Sequence, residues 1–277
     1  MPIIDAHLHI VDPESLRPWA REYLQTSSGE EMEYLEQIMR SPELLVKMLH
    51  ENGVDYGVVL TEISPITTGV ISNEAVAEFC QDHDTLIPFA NINPFMVANP
   101  AQELERCVLE MGFKGLKLYP TYQGFYANDS MIYPLYATAR ELEIPVMIHT
   151  GSSVFKGARL KYGDPLWIDD VAVDFPDLTL IQVHSGRGFW YHRAFFLSRM
   201  HSNVYMEIAG LPPHKLLEYF PELDKNADKI LFGSDWPGLR SIKANIEAIR
   251  SLPLSEETKA KILGMNAARL LGDAIPG

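Results

Sequence analysis

PIIDAHLHI, residues 2–10, is the stretch on which the fold turns. It is an almost unbroken apolar run that ends in two histidines one residue apart. Continuous apolar runs, rather than strict alternation, suit strands covered on both faces in a parallel sheet. Working outward, comparable runs recur near residues 54–60 (VDYGVVL), 86–92 (LIPFANI) and 113–119 (FKGLKLY). Four more follow near 145–150 (PVMIHT), 178–185 (LTLIQVHS), 204–209 (VYMEIA) and 229–235 (KILFGSD).

Segments with helical spacing separate these runs and carry their own stop and start signals. Ser41-Pro42-Glu43 supplies an N-cap, a first-turn proline and an acid, and Asn52-Gly53 closes that helix. Asn99-Pro100 repeats the start; Leu104, Val108 and Met111 then share one face until Gly112. The sets Ile132, Leu135, Tyr136, Ala139, Leu142 and Ile242, Ile246, Ile249 have the same periodicity, and a last helix is expected from about Ser255 to Leu271. Eight β-then-α units predict an α/β fold closed as a (β/α)₈ TIM barrel in one domain, residues 1–277. A doubly wound open sheet would call for a phosphate-binding glycine loop after its first strand, and none is present. The stretch from Asp12 to Arg40 is long for a βα loop and is expected to extend over the C-terminal mouth of the barrel.

Composition narrows the partners. Lys+Arg 23 against Asp+Glu 37 gives a formal net charge of −14, which disfavours nucleic acid and anionic membranes. Cys80 and Cys107 form no Cys-x-x-Cys pair, so neither thiolate metal sites nor a disulfide framework is expected. The opening MPIIDAHLHI has no basic region followed by a long apolar run, which makes the cytoplasm the default compartment. A small-molecule substrate, potentially a carboxylate, is the expected partner, with a homodimer as the prior for subunit number.

The chemistry collects by position. His7 and His9 end the first expected strand, His149 the fifth, His184 the sixth and Asp235 the eighth. In a parallel barrel these ends share the catalytic face, and residues two apart on a strand share a side. With nine histidines in 277 residues, any one position is histidine about 3% of the time. Four such coincidences are on the order of one in a million, so chance loses even after a heavy discount. Imidazoles with a carboxylate suit Zn²⁺, Mn²⁺ or Fe²⁺.

The stretches DAHLHI (5–10), IHTGSS (148–153), VHSGRG (183–188), FGSDWPG (232–238) and NAARLLG (266–272), in this order, resemble the amidohydrolase superfamily. They are most similar to its amidohydrolase-related, metal-dependent hydrolase branch. The resemblance spans the whole chain and implies His7, His9, His149 and Asp235 as ligands of a divalent metal, foremost Zn²⁺. It makes His184 either a ligand to a second ion or a catalytic group that polarises the substrate. GLKLYP (115–120) is similar to a stretch of dihydroorotases, which implies a carboxylated Lys117 bridging two ions; a substrate-binding or snorkelling lysine is the alternative.

Other residues carry paired readings. Glu207 either faces the mouth or points outward, and Asp5 either orients a histidine or faces the outer helices. Arg187 can clamp a substrate carboxylate or sit in solvent. Arg17, Trp19 and Arg21 are candidate lid residues; Tyr119, with Tyr122 and Trp236, is a candidate aromatic wall that contacts substrate. His50, His83, His192, His201 and His214 read as structural or solvated. The leading expectation is hydrolysis of an amide, lactone or ester bond, with the metal lowering the pKa of water from about 15.7 toward roughly 7. Asp235 shuttles the proton, and His184 assists at the oxyanion. The alternative is a metal-dependent carboxy-lyase of the aminocarboxymuconate-semialdehyde or γ-resorcylate decarboxylase type. Pyrone-dicarboxylate lactonases, TatD-like nucleases and a bracing, non-catalytic metal stand behind these two.

Overall fold

In the computed structural model, which describes residues 1–275, each apolar run becomes a barrel strand. They are β1 (Ile4–His9), β2 (Tyr56–Leu60), β3 (Leu86–Asn91), β4 (Leu116–Leu118), β5 (Val146–His149), β6 (Leu180–Val183), β7 (Val204–Glu207) and β8 (Ile230–Leu231). All adjacent pairs from β1 to β8 are parallel and in chain order. The chain after β8 leaves regular strand geometry yet still closes the ring against β1. Ala6 N donates to Phe232 O (3.0 Å), Asp235 N to His7 O (3.0 Å) and His9 N to Trp236 O (2.8 Å). The result is a nearly closed eight-stranded barrel with alternating helices, the fold expected from the sequence.

Strand alternation sorts the side chains into two cores. Val58, Leu60, Ile87, Phe89, Met147, Ile181, Val183 and Leu231 pack together with Ile4 and Ala6 and fill the barrel. Val59, Leu116, Leu118, Val146, Ile148, Leu180, Val204 and Met206 lie in the other cluster, with the helices. The strands are shorter than the apolar runs because the functional ends bend away: His184–Gly186 is already a 3₁₀ turn. The small antiparallel hairpin Ile63–Ser64/Gly69–Val70, which follows β2, has no counterpart in the sequence reading.

The helix punctuation works as its chemistry dictates. Ser41 Oγ accepts from Leu44 N (3.2 Å) before helix Pro42–Glu51, and Asn99 Oδ1 from Gln102 N (3.3 Å) before helix Pro100–Met111. Gly112 ends the latter in the left-handed region at φ 77°. The insertion after β1 holds two helices, Pro18–Ser28 and Met32–Arg40. The last helix starts at Glu256 and contains a π-turn at Lys261–Met265 before Asn266–Leu271. Asn266 explains one residue of the C-terminal motif: its buried Nδ2 donates to Ala227 O (2.7 Å) and Ile230 O (2.8 Å), tying the helix to β8.

Both cysteines are free and buried, and burial pushes each thiol up to about 12. A raised pKa keeps the thiolate scarce at pH 8, so native protein should give no reaction with a thiol-exchange reagent, against two equivalents after denaturation. Asn266→Leu should cost about 1–3 kcal/mol in urea unfolding by stranding two buried carbonyls; an unchanged midpoint would remove that clamp from the account.

Candidate active site

The seam between β1 and the segment after β8 brings the first candidate ligands together. A register shift between Asp5 and Leu8 marks β1 at the point where His7 enters the site. Asp5 is fully buried and its Oδ1 accepts from His7 N (3.1 Å) and Ser234 N (2.8 Å), so it faces the seam and not the outer helices. His7 Nε2 then lies 3.0 Å from His9 Nε2, and Asp235 Oδ1 lies 3.4 Å and 3.6 Å from those two atoms. Atoms bonded at about 2.0–2.1 Å to one tetrahedral ion are about 3.4 Å apart, so this triangle has the edge lengths of a coordination shell.

His149 belongs to the same pocket. Its ring centroid is 4.7 Å from that of His184, and its Nε2 is buried with no hydrogen-bond partner among the described residues. A buried imidazole nitrogen left without a proton partner is the donor a metal requires. His149 is absent from the two tight His/carboxylate groupings, His7–His9–Asp235 and His7–His184–Glu207. The second grouping works differently from the first. Glu207 Oε2 sits 3.4 Å from His7 Nδ1, behind the ring, and accepts from His184 N (3.1 Å), while Oε1 accepts from Ala209 N (2.6 Å). Glu207 therefore points inward and orients two histidines from behind.

Backbone strain is concentrated at this rim. His184, Ser185 and Asp235 take φ of 61°, 46° and 65°, a region non-glycine residues enter at a cost of about 1–3 kcal/mol each. His184 Nδ1 is 2.8 Å from Ala209 O, which can only accept; Nδ1 thus carries the proton and Nε2 presents its lone pair. Two glycines leave room for charged groups. A Cβ on Gly233 would fall 2.1 Å from Glu207 Oε1, and one on Gly210 2.3 Å from Arg187 Nη1.

Burial is the largest influence on the histidines, the carboxyl groups and the lysine of the site. It holds His7, His149 and His184 far below the usual imidazole range and His9 down to about 3, with the Lys117 ammonium acting in the same direction on all four. Burial likewise raises Asp235, opposed by Arg187 and Lys117, and raises Glu62 to about 7. Lys117 is fully buried, with no hydrogen-bond partner for Nζ, and its pKa is lowered by burial against the pull of Glu207, Asp235 and Glu62.

The cavity above these groups encloses about 60 Å³ open to the centres of water-sized spheres. Arg187 is its bordering cation among the described residues; Glu62 and Asp235 are its bordering carboxylates, and Lys117 lies off its wall. Arg187 is held by Ser152 O (2.9 Å) and stands 3.8 Å from Asp235 Oδ2. Several lower-ranking expectations are corrected. Arg17 and Trp19 bond to the carbonyls of Pro65 and Thr67, and Arg21 pairs with Glu36, so none enters the cavity. The same helix instead contributes Ala20, Tyr23 and Leu24. Tyr119 lines the cavity, but its hydroxyl donates to Thr61 O (3.0 Å), leaving the ring face. Trp236 packs into the outer core. His201 bonds Asp169 (2.6 Å), and His50, His83, His192 and His214 also lie away from the cavity. Glu62 escaped the sequence reading, although its position two residues beyond the end of β2 is the same signal that marked the others.

Protein purified without chelator should carry close to one divalent ion per chain by elemental analysis, and His149→Ala should lower that occupancy at least tenfold. Stripping the ion should lower the melting temperature, since the ion binds only the folded arrangement. Two ions per chain with Lys117 heavier by one CO₂ unit would establish the bridged scheme; no uptake of Mn²⁺ or Zn²⁺ by the wild type would remove the metal site.

Comparison with known proteins places this geometry. A γ-resorcylate decarboxylase from Polaromonas sp. is 26% identical over 217 residues, covering 61% of this chain and 65% of its own length, just under two thirds. An uncharacterised TIM-barrel protein from Bordetella bronchiseptica superposes with a TM-score of 0.81 at 25% identity, covering 99% of both chains. A 2,6-dihydroxybenzoate decarboxylase solved with 2,6-dihydroxybenzoate shares the fold, with a TM-score of 0.69 at 18% identity over 98% of this chain and 99% of that one. Residues 4–272 match the family described as amidohydrolase, and the chain belongs to that metal-dependent family.

Proposed function

We propose that this protein is a metal-dependent, non-oxidative decarboxylase of a small carboxylic acid, in preference to the hydrolase that the motifs first suggest. The observation that carries the reading is Arg187, the cation bordering the cavity, placed 3.8 Å from Asp235. A carboxylate anchor directly beside a proton-carrying group is what decarboxylation requires. The γ-resorcylate decarboxylase likeness points the same way and favours the lyase over hydrolysis.

His7, His9, His149 and Asp235 would hold one divalent ion, Zn²⁺ or Mn²⁺ suiting the mixed N/O set, with His184 facing it from β6. When bound, the ion supplies a fixed positive charge that binds substrate oxygens and stabilises negative charge as it develops. Arg187 grips the carboxylate through its planar fork. Asp235 would face the ion through Oδ1, the oxygen beside His7 and His9, and carries the transferred proton on Oδ2, which it gives to the ring or vinylic carbon bearing the carboxylate. The bond to the carboxylate then breaks, its electron pair returns to the carbon framework, and CO₂ departs. Asp235 is left ionised and takes up a proton from solvent, so each turnover consumes one proton. The lid residues Leu24, Tyr23 and Phe155 exclude water, and His184, fixed by Ala209 O, accepts a hydrogen bond at Nε2 from a substrate hydroxyl.

Metal-loaded protein should release CO₂ from 2,6-dihydroxybenzoate or a related hydroxybenzoate, with proton uptake in unbuffered solution. Asp235→Asn should abolish turnover. Arg187→Met should reduce kcat/KM about 100-fold, the scale of losing a buried charge-assisted contact. Hydrolysis of lactones or amides with no CO₂ from any acid in the panel would overturn the lyase in favour of the hydrolase.

A further inference from the structure

We propose that Glu62 is a specificity determinant that accepts a hydrogen bond from a hydroxyl or amino group of the substrate, at the end remote from its carboxylate. The inference rests on the reading of Arg187 as carboxylate anchor and adds the second pole of the site. Glu62 follows β2 and Arg187 follows β6, strands four places apart in a ring of eight and so on opposite sides of the mouth. Short distances mark out the line between them. Glu62 Oε2 is 3.8 Å from His9 Nδ1, His9 Nε2 is 3.6 Å from Asp235 Oδ1, and Asp235 Oδ2 is 3.8 Å from Arg187 Nη1. A substrate held over the His9–Asp235 edge therefore meets a cation at one end and a carboxyl group at the other.

Glu62 is also fixed in place in a way a solvent-facing glutamate would not be. Its Oε1 accepts from Thr68 Oγ1, across the hairpin that follows β2. That hairpin is clamped to the barrel through Ile63, whose N–H donates to Asn91 Oδ1 (2.9 Å) and whose carbonyl accepts from Asn93 Nδ2 and Gln123 Nε2 (both 3.0 Å). Oε2 makes no hydrogen bond among the described residues and is too far from His9 Nδ1 for one. Val11, Leu16, Ala20 and Leu24 line the same cavity with apolar side chains. An acceptor desolvated against such walls is stabilised by a donor brought in on the ligand. The pair thus selects hydroxy- or amino-substituted monocarboxylates over unsubstituted acids, and over dicarboxylates, whose second charge would face Glu62.

The test uses the full chain loaded with Mn²⁺ and three probes, benzoate, 3-hydroxybenzoate and 4-hydroxybenzoate, in equilibrium titrations with wild type, Glu62→Leu and Glu62→Gln. Wild type should bind at least one hydroxybenzoate roughly tenfold or more tightly than benzoate. In Glu62→Leu that ratio should collapse toward one with manganese content unchanged, while Glu62→Gln, which keeps an acceptor oxygen, should retain part of it. Equal affinities in the wild type would overturn the proposal and leave the decarboxylase reading standing. Loss of manganese in Glu62→Leu, or equal weakening of all three acids, would also overturn it and make Glu62 a positioning residue for His9. Binding of none of the acids would bring down the carboxylate anchor and this inference together.

Discussion

Closing the barrel and assembling the site are one event in this chain. The hydrogen bonds that join β1 to residues 232–236 complete the ring of strands, and they also set Asp235 against His7 and His9. Asp5 governs the seam, because its single Oδ1 collects both His7 N and Ser234 N, and Trp236 N is taken in turn by Ser234 Oγ (3.0 Å). Ligand geometry therefore depends on the most non-local pairing in the fold, between residues more than two hundred positions apart. The left-handed backbone at Asp235 is the local cost of turning its carboxylate inward immediately after the pairing.

The barrel interior imposes a second constraint. Lys117, Glu207, Asp235 and four histidines share this buried space, and burial dominates each titration. Lys117 is the pivot of this arrangement. Its charge is balanced by the surrounding carboxylates without a direct hydrogen bond, and it works against protonation of every neighbouring imidazole. Neutral imidazoles are the form that donates a lone pair to a metal, and it is the form the Lys117 ammonium favours in these candidate ligands. Glu207 completes the scheme by fixing ring orientation, and Gly233 is glycine because any side chain there would occupy the space of Glu207.

Much of this could be read from residue order. Apolar runs longer than a strand pair exposed the barrel, and histidines at their ends exposed the face, because period and position survive without knowledge of contacts. Helix limits at Ser41, Asn99 and Gly112 were legible because capping is local chemistry. What was not legible depends on rotation and on distant partners. The inward turn of Glu207 follows from strand register, the spent hydroxyl of Tyr119 from a carbonyl 58 residues away, and the role of Glu62 from a hairpin too short to have a periodicity. The lid misled for a related reason. Its polar residues Arg17, Trp19 and Arg21 suggested reach into the site, whereas on an amphipathic helix over a cavity it is the small and apolar face that turns inward.

That lid bears on what the enzyme can accept. Its helix Pro18–Ser28 places Ala20, Tyr23 and Leu24 on the cavity wall. The helix is tied down at its start: Arg17 and Trp19 hold on through carbonyls of residues 65–68, and Ser15 Oγ bonds Val70. Those contacts belong to the loop that follows Glu62, so the lid and the acceptor pole share one support. The apolar cover of the cavity comes from the insertion after β1, through Leu16, Ala20 and Leu24, and from Val154 and Phe155 after β5, whereas the polar groups come from strand ends. The polar groups of the site and much of its apolar cover thus come from separate parts of the chain, joined at one hairpin.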